Sequence, residues 1–267
     1  MPMEWTANLR KMESEAADPV RYRLVMGEER VEMTDLIGKE IHMHFLGQIH
    51  CLKCGRETRK SFAQGYCYPC FTTAPECEAC VLRPELCQAH EGIARDLDYA
   101  REHCLIEHVV YLSLTSGLKV GVTRHTQVPT RWIDQGATCA IELARTPNRY
   151  LAGLMEVALK AHVADKTNWR KMLNGPDNSG IDLLEAKSRM AAHLPEEFRP
   201  YISPEQEIQY FHYPVEEYPK KIKSMNLDKE AAFSGILKGI KGQYLMLDGD
   251  RVINIRKFGA YRVRFSC

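Results

Sequence analysis

The chain has 267 residues, 45% hydrophobic and 27% charged; this is ordinary globular usage, which excludes a disordered or fibrous protein and leaves room for one large domain or two smaller ones. Thirty-six Lys and Arg against thirty-five Asp and Glu leave a formal net charge of +1, so bulk charge points to no polyanionic partner and a nucleic-acid reading rests on local charge. No apolar run approaches the roughly 20 residues of a spanning helix, and Met1-Pro2-Met3-Glu4-Trp5 lacks the basic-then-apolar order of a signal peptide, so the expectation is a cytoplasmic protein with no membrane contact.

Composition divides the chain into five zones. Residues 1–50 form an N-terminal β region, because Tyr22-Arg23-Leu24-Val25-Met26 and Glu40-Ile41-His42-Met43-His44-Phe45 alternate large apolar with polar residues and break at glycines. Residues 51–107 carry most of the cysteines and almost no apolar period. Residues 108–175 open with two β-rich runs, 109–114 and 118–122, around the turn Thr115-Ser116-Gly117, which reads as a hairpin. A short helix around Arg131-Trp132-Ile133 and a strand at 139–143 follow. Leu151, Leu154, Met155, Ala158 and Leu159 then fall on one helical face. Residues 176–232 are a helical and Pro-punctuated connector. Residues 233–267 are a basic β region, with seven Lys or Arg against two Asp.

Ten cysteines in a chain without an export signal, seven of them between Cys51 and Cys87, favour metal over disulfides. Cys51-x2-Cys54 and Cys67-x2-Cys70, with twelve residues between, have the spacing of two knuckles that bring four thiolates to one tetrahedral Zn²⁺. Cys77, Cys80 and Cys87 supply three further sulfurs. Cys104 is the preferred fourth ligand, with His90 and His108 as alternatives, so two structural zinc ions are expected. Lys53, Arg56, Arg59 and Lys60 against Glu57 make the first knuckle loop basic, which suits either a solvated loop or a phosphate contact.

The run Val109-Val110-Tyr111, a turn, Lys119-Val120-Gly121, then Arg131, Glu156 and Asn168 resembles the GIY-YIG nuclease core over about 60 residues. The twelve-residue step from Glu156 to Asn168 is similar to that in the incision module of bacterial nucleotide-excision repair. A closer resemblance covers most of the chain: the knuckles, Val110-Tyr111-Leu112, Leu118 to Arg124, Pro129 to Ala137, and Asp165-Lys166-Thr167-Asn168-Trp169-Arg170 are similar to a bacterial family of unknown function. That family's pattern has a further cysteine near Ala94, which this chain lacks. The resemblance implies an α+β protein with a GIY-YIG-like α/β core, a zinc-knuckle region and flanking small β units.

The resemblance to the GIY-YIG nuclease core implies phosphodiester hydrolysis on DNA or RNA, with Tyr111, Lys119, Arg131, Glu156 and Asn168 as candidate catalytic residues. The residue types permit this chemistry. A carboxylate such as Glu156 can hold one Mg²⁺ or Mn²⁺, a guanidinium such as Arg131 can clamp transition-state oxygens, and a phenol such as Tyr111 can orient or deprotonate water. Lys119 stands where the nuclease family has its second tyrosine, which leaves a catalytically inactive nucleic-acid-binding zinc protein as the alternative. The non-catalytic readings are a surface pair for Glu156 with Lys160, a stacked surface Arg131, a core Tyr111 and a turn-forming Asn168. The oligomeric state is open.

Overall fold

The computed structural model describes residues 3–164, 166–175 and 179–267; Met1, Pro2 and Asp165, the first residue of the run 165–170, lie outside them. Strands β1 (Glu4–Asn8), β2 (Glu13–Glu15), β3 (Arg21–Met26), β4 (Glu29–Glu32) and β5 (Glu40–Ile49) are followed by helices α1 (Tyr68–Thr73) and α2 (Leu97–His103). Next come β6 (His108–Leu114), β7 (Leu118–Arg124), α3 (Thr130–Asp134), β8 (Cys139–Thr146), α4 (Arg149–Leu159), α5 (Trp169–Leu173), α6 (Leu183–His193) and β9 (Gln209–Tyr210). The chain then adds β10 (Lys223–Ser224), β11 (Ala232–Lys241), β12 (Tyr244–Leu247), β13 (Arg251–Asn254) and β14 (Tyr261–Ser266). The architecture is mixed α+β with three sheets and few helices, in two compact units.

The first unit takes the chain up to Thr72, Leu173–Gly175 and the stretch from Phe211 on. Its larger sheet has the order β1-β14-β5-β11-β12-β13-β10, and β2-β3-β4 form a smaller one. Alternation decides which face is buried: Ile41 and Met43 are buried between exposed Glu40, His42 and His44. The registers set Met43 opposite Phe265 of β14 and Phe233 of β11, so N-terminal and C-terminal strands build one apolar layer that neither could close alone. Part of the basic C-terminal run is paired or buried here. Lys241 is fully buried, its ammonium over the Tyr213 and Tyr218 rings at 5.3 and 5.8 Å and bonded to the Gly175 carbonyl at 3.2 Å. Arg251 pairs with Asp248 at 2.5 Å, Arg264 with Glu4 at 3.7 Å and Lys238 with Glu216 at 3.9 Å.

The second unit comprises Thr73–Met172 and the stretch ending at Tyr210. Its sheet has the order β7-β6-β8-β9, with β6 and β7 in unbroken antiparallel register from His108↔Arg124 to Leu114↔Leu118. All seven residues of β6 are buried, as the continuous apolar run of a central strand requires. Val110, Leu112 and Leu114 join Ile141 and Leu143 of β8, Ala152, Met155 and Leu159 of α4, and Leu183, Ala186 and Met190 of α6 in one core. The helix ends are set by side chains: Asn148 accepts from the Leu151 N–H at 3.0 Å, and Asp182 from the Leu184 N–H at 2.7 Å and the Glu185 N–H at 3.1 Å. That cap starts α4 at Arg149, two residues before its apolar stripe.

Candidate functional site

In the first unit, Cys51 lies two residues past β5, and the intervening His50 is tied to the chain before β14 by its N–H donating to the Ala260 carbonyl at 2.9 Å. The chain turns so that Gly55 N–H donates to Cys51 O and Leu52 N–H to Gly65 O, both at 2.8 Å, and the sulfurs of Cys51, Cys54, Cys67 and Cys70 all lie within 4.8 Å of one another. Cys54 Sγ and Cys67 Sγ are 3.8 Å apart; a tetrahedron with zinc–sulfur bonds of about 2.3 Å has edges of about 3.8 Å. Burial raises the Cys51 thiol, but backbone N–H groups of Cys67, Cys54 and Lys53 bring it down to about 6. The Cys67 side chain, first among the surrounding sulfurs, pushes the Cys70 thiol up to about 12. The crowded sulfurs share their protons unevenly, which is the environment a thiophilic dication relieves. This group could hold zinc.

In the second unit, tight single turns place Cys80 and Cys87, and Cys104 closes the C-terminus of α2 by donating its N–H to the Ala100 carbonyl at 2.7 Å. Their three sulfurs lie within 4.8 Å of one another, with Ala94 packed against the group. Hydrogen bonds from Cys104 and Cys80 draw the Cys87 thiol down to about 2, so one thiolate is favoured before any metal binds. This group too could hold zinc. Cys77 is not among these three sulfurs; it ends the turn Pro75–Cys77, half-buried. The two histidines kept as alternatives stand outside the sulfur group as well. His90 stacks on Tyr150 at 4.3 Å, and His108 binds the Ile106 carbonyl through Nδ1 at 2.8 Å.

Two of the remaining candidates, Tyr111 and Lys119, meet on one glutamine. The Tyr111 hydroxyl and the Lys119 ammonium both donate to Gln135 Oε1, each at 2.8 Å. Tyr111 is fully buried and Lys119 only 4% exposed. Burial pushes the Tyr111 phenol up; the Arg131 guanidinium pulls it down by charge and by hydrogen bonding, and the Glu156 carboxylate pushes it up. The charges of Arg131 and Glu156 thus both reach the Tyr111 phenol. Gly121 lies opposite Tyr111 in the hairpin, and a Cβ there would sit 2.6 Å from the phenol oxygen, so the phenol needs bare backbone beneath it. Trp132 borders the ring at 5.7 Å.

Glu156 is half-buried and pairs with Lys160 at 3.4 Å, one turn further on. Asn168 has a different place. It is exposed, its N–H donates to the Ser116 hydroxyl at 2.9 Å, and its side-chain oxygen accepts from the Lys171 N–H at 3.2 Å. It caps α5 against the hairpin turn, and among the described residues its hydrogen bonds go to Ser116 and Lys171 and not to Tyr111 or Gln135. Gln135 itself carries no signal in sequence, because an amide becomes an acceptor for two buried donors only once three elements have packed.

No curated protein and no solved structure matches the chain. Residues 38–263 match the family described as a protein of unknown function, DUF2797, and on that extent the chain belongs to it.

Proposed function

We propose that the protein is a zinc-stabilised nuclease with a GIY-YIG-like core, hydrolysing phosphodiester bonds of DNA or RNA. The observation that carries this reading is that the hairpin residues Tyr111 and Lys119 meet on Gln135 Oε1, with the charges of Arg131 and Glu156 both acting on the Tyr111 phenol. In this reading Glu156 would hold one Mg²⁺ or Mn²⁺, which neutralises charge on the phosphate and its leaving oxygen. Arg131 binds the non-bridging oxygens as charge builds on them. Tyr111, held by Arg131 and Gln135, orients the attacking water. Lys119 keeps positive charge beside the phenol and favours its deprotonated form.

The test uses single-stranded, duplex and structured DNA and RNA with Mg²⁺ or Mn²⁺. Metal-dependent cleavage that Glu156→Gln abolishes and Arg131→Ala slows by about 10²–10³, with affinity largely kept, supports the reading. A second reading is favoured by the burial of Tyr111 and Lys119: a core retained for nucleic-acid recognition without catalysis. That protein would bind with a steep salt dependence, about −0.7 to −0.9 in log–log slope per phosphate contact, and Glu156 would be dispensable. Neither cleavage nor salt-dependent binding would end both readings.

A further inference from the structure

Helix α4 carries Glu156, and its first two turns are fastened to the loops that bear Cys80, Cys87 and Cys104. The Arg149 N–H donates to the Cys104 carbonyl at 2.8 Å. The Arg149 guanidinium donates to the Cys80 carbonyl at 3.1 Å and to the His103 carbonyl at 2.9 Å, beside two of the three sulfur-bearing residues. Tyr150 stacks on His90 at 4.3 Å, three residues beyond Cys87. One turn on, Gly153 lies against the backbone of Pro84 and Glu85, where a Cβ would overlap the Glu85 nitrogen. Residues 149, 150 and 153 therefore clamp the helix to the cysteine loops, and residue 156 lies less than one turn beyond the clamp.

Arg149 is only 8% exposed, and its Nε–H is buried without a hydrogen-bond partner among the described residues. A buried guanidinium is costly unless an anion offsets it. Both its acceptors are neutral carbonyls, and its charge acts on all three cysteines. Three thiolates around one dication leave a single negative charge in excess, which one buried cation matches.

We infer that Arg149 is a positioning residue, a cation that balances a metal-loaded Cys80–Cys87–Cys104 centre and ties that centre to α4, so that loss of the metal releases the helix that carries Glu156. The inference rests on the zinc reading of this cysteine group and is independent of catalysis.

The test follows the intact protein loaded with zinc. Alkylation of each cysteine, resolved by peptide mass spectrometry during challenge with a chelator, separates the two centres. In Arg149→Met, modification of Cys80, Cys87 and Cys104 should accelerate at least tenfold, while Cys51, Cys54, Cys67 and Cys70 are unchanged. In the wild type, amide hydrogen exchange across residues 149–159 should rise at least tenfold when the second centre is stripped, with residues 183–190 of α6 unchanged. Arg149→Lys, which keeps the charge but cannot span two carbonyls, should move alkylation in the same direction by less. Equal alkylation in Arg149→Met and wild type, or unchanged exchange in α4 after stripping, overturns the inference. If Arg149→Met does not fold, the wild-type exchange experiment decides alone. Because neither readout is cleavage, an inactive protein that shows both effects fails as a nuclease while the positioning role stands; failure to bind zinc at all appears separately, in the metal content.

Discussion

The Tyr111 hydroxyl and the Lys119 ammonium converge on a single oxygen of Gln135, each at 2.8 Å. Two strands of one hairpin thereby place a phenol and a cation side by side inside the unit, and a residue just past α3 holds both. Removing a shared buried acceptor strands two donors at once. Gln135→Leu should therefore destabilise the protein by about 1–3 kcal/mol, more than the ~1 kcal/mol expected of Tyr111→Phe. Urea unfolding of the full chain compares the two, and a Gln135→Leu effect below that of Tyr111→Phe would show that the amide does not hold the pair.

Metal content gives a direct check on the cysteines. Purified protein should contain about two equivalents of zinc, and Cys51→Ser should lose one of them and loosen the first knuckle, since binding energy there is folding energy. Elemental analysis below one equivalent for the wild type removes the zinc reading of both groups.

Glycine in an exposed helix interior usually gains about 1 kcal/mol on replacement by alanine. Gly153 should show the opposite sign. Its missing Cβ is where the Pro84–Glu85 backbone passes, so Gly153→Ala should cost about 1–3 kcal/mol, as overpacking does. A stabilised Gly153→Ala protein in thermal or urea unfolding would mean that this close approach is not held in solution.

Acid sensitivity should include a contribution from His108. Burial, the leading cause, brings its imidazole down to about 4 from an ordinary value near 6.5. The unfolded chain therefore binds the proton more readily, and stability falls as pH drops from about 6.5 toward about 4, while above that window His108 contributes no pH dependence. By pH 5 its share is about 2 kcal/mol, and near pH 4 it approaches about 3 kcal/mol. Denaturation midpoints at pH 7 and pH 5 for the wild type and His108→Gln measure it as the difference between their slopes; parallel slopes would assign the acid sensitivity elsewhere.

Short-range pattern determined part of this protein by itself. Four cysteines within a 20-residue stretch, in two CxxC turns, specify their own meeting point, because each turn aims both sulfurs locally. The β6–β7 hairpin, the apolar stripe of α4 and the alternation of β5 were legible for the same reason: period and turn residues are local properties. What the residues far apart in sequence do to one another was decided only by tertiary packing. Cys104 and Cys87 are brought together by the course of α2, and no spacing rule said that Cys77 would stand outside their group. Lys241 belongs to the basic C-terminal run and lies buried against the Tyr213 and Tyr218 rings, because β11 turns it inward. Gln135 and Arg149 have no signature of their own; an amide or a guanidinium becomes a clamp only when burial removes water and leaves particular donors and acceptors as its partners.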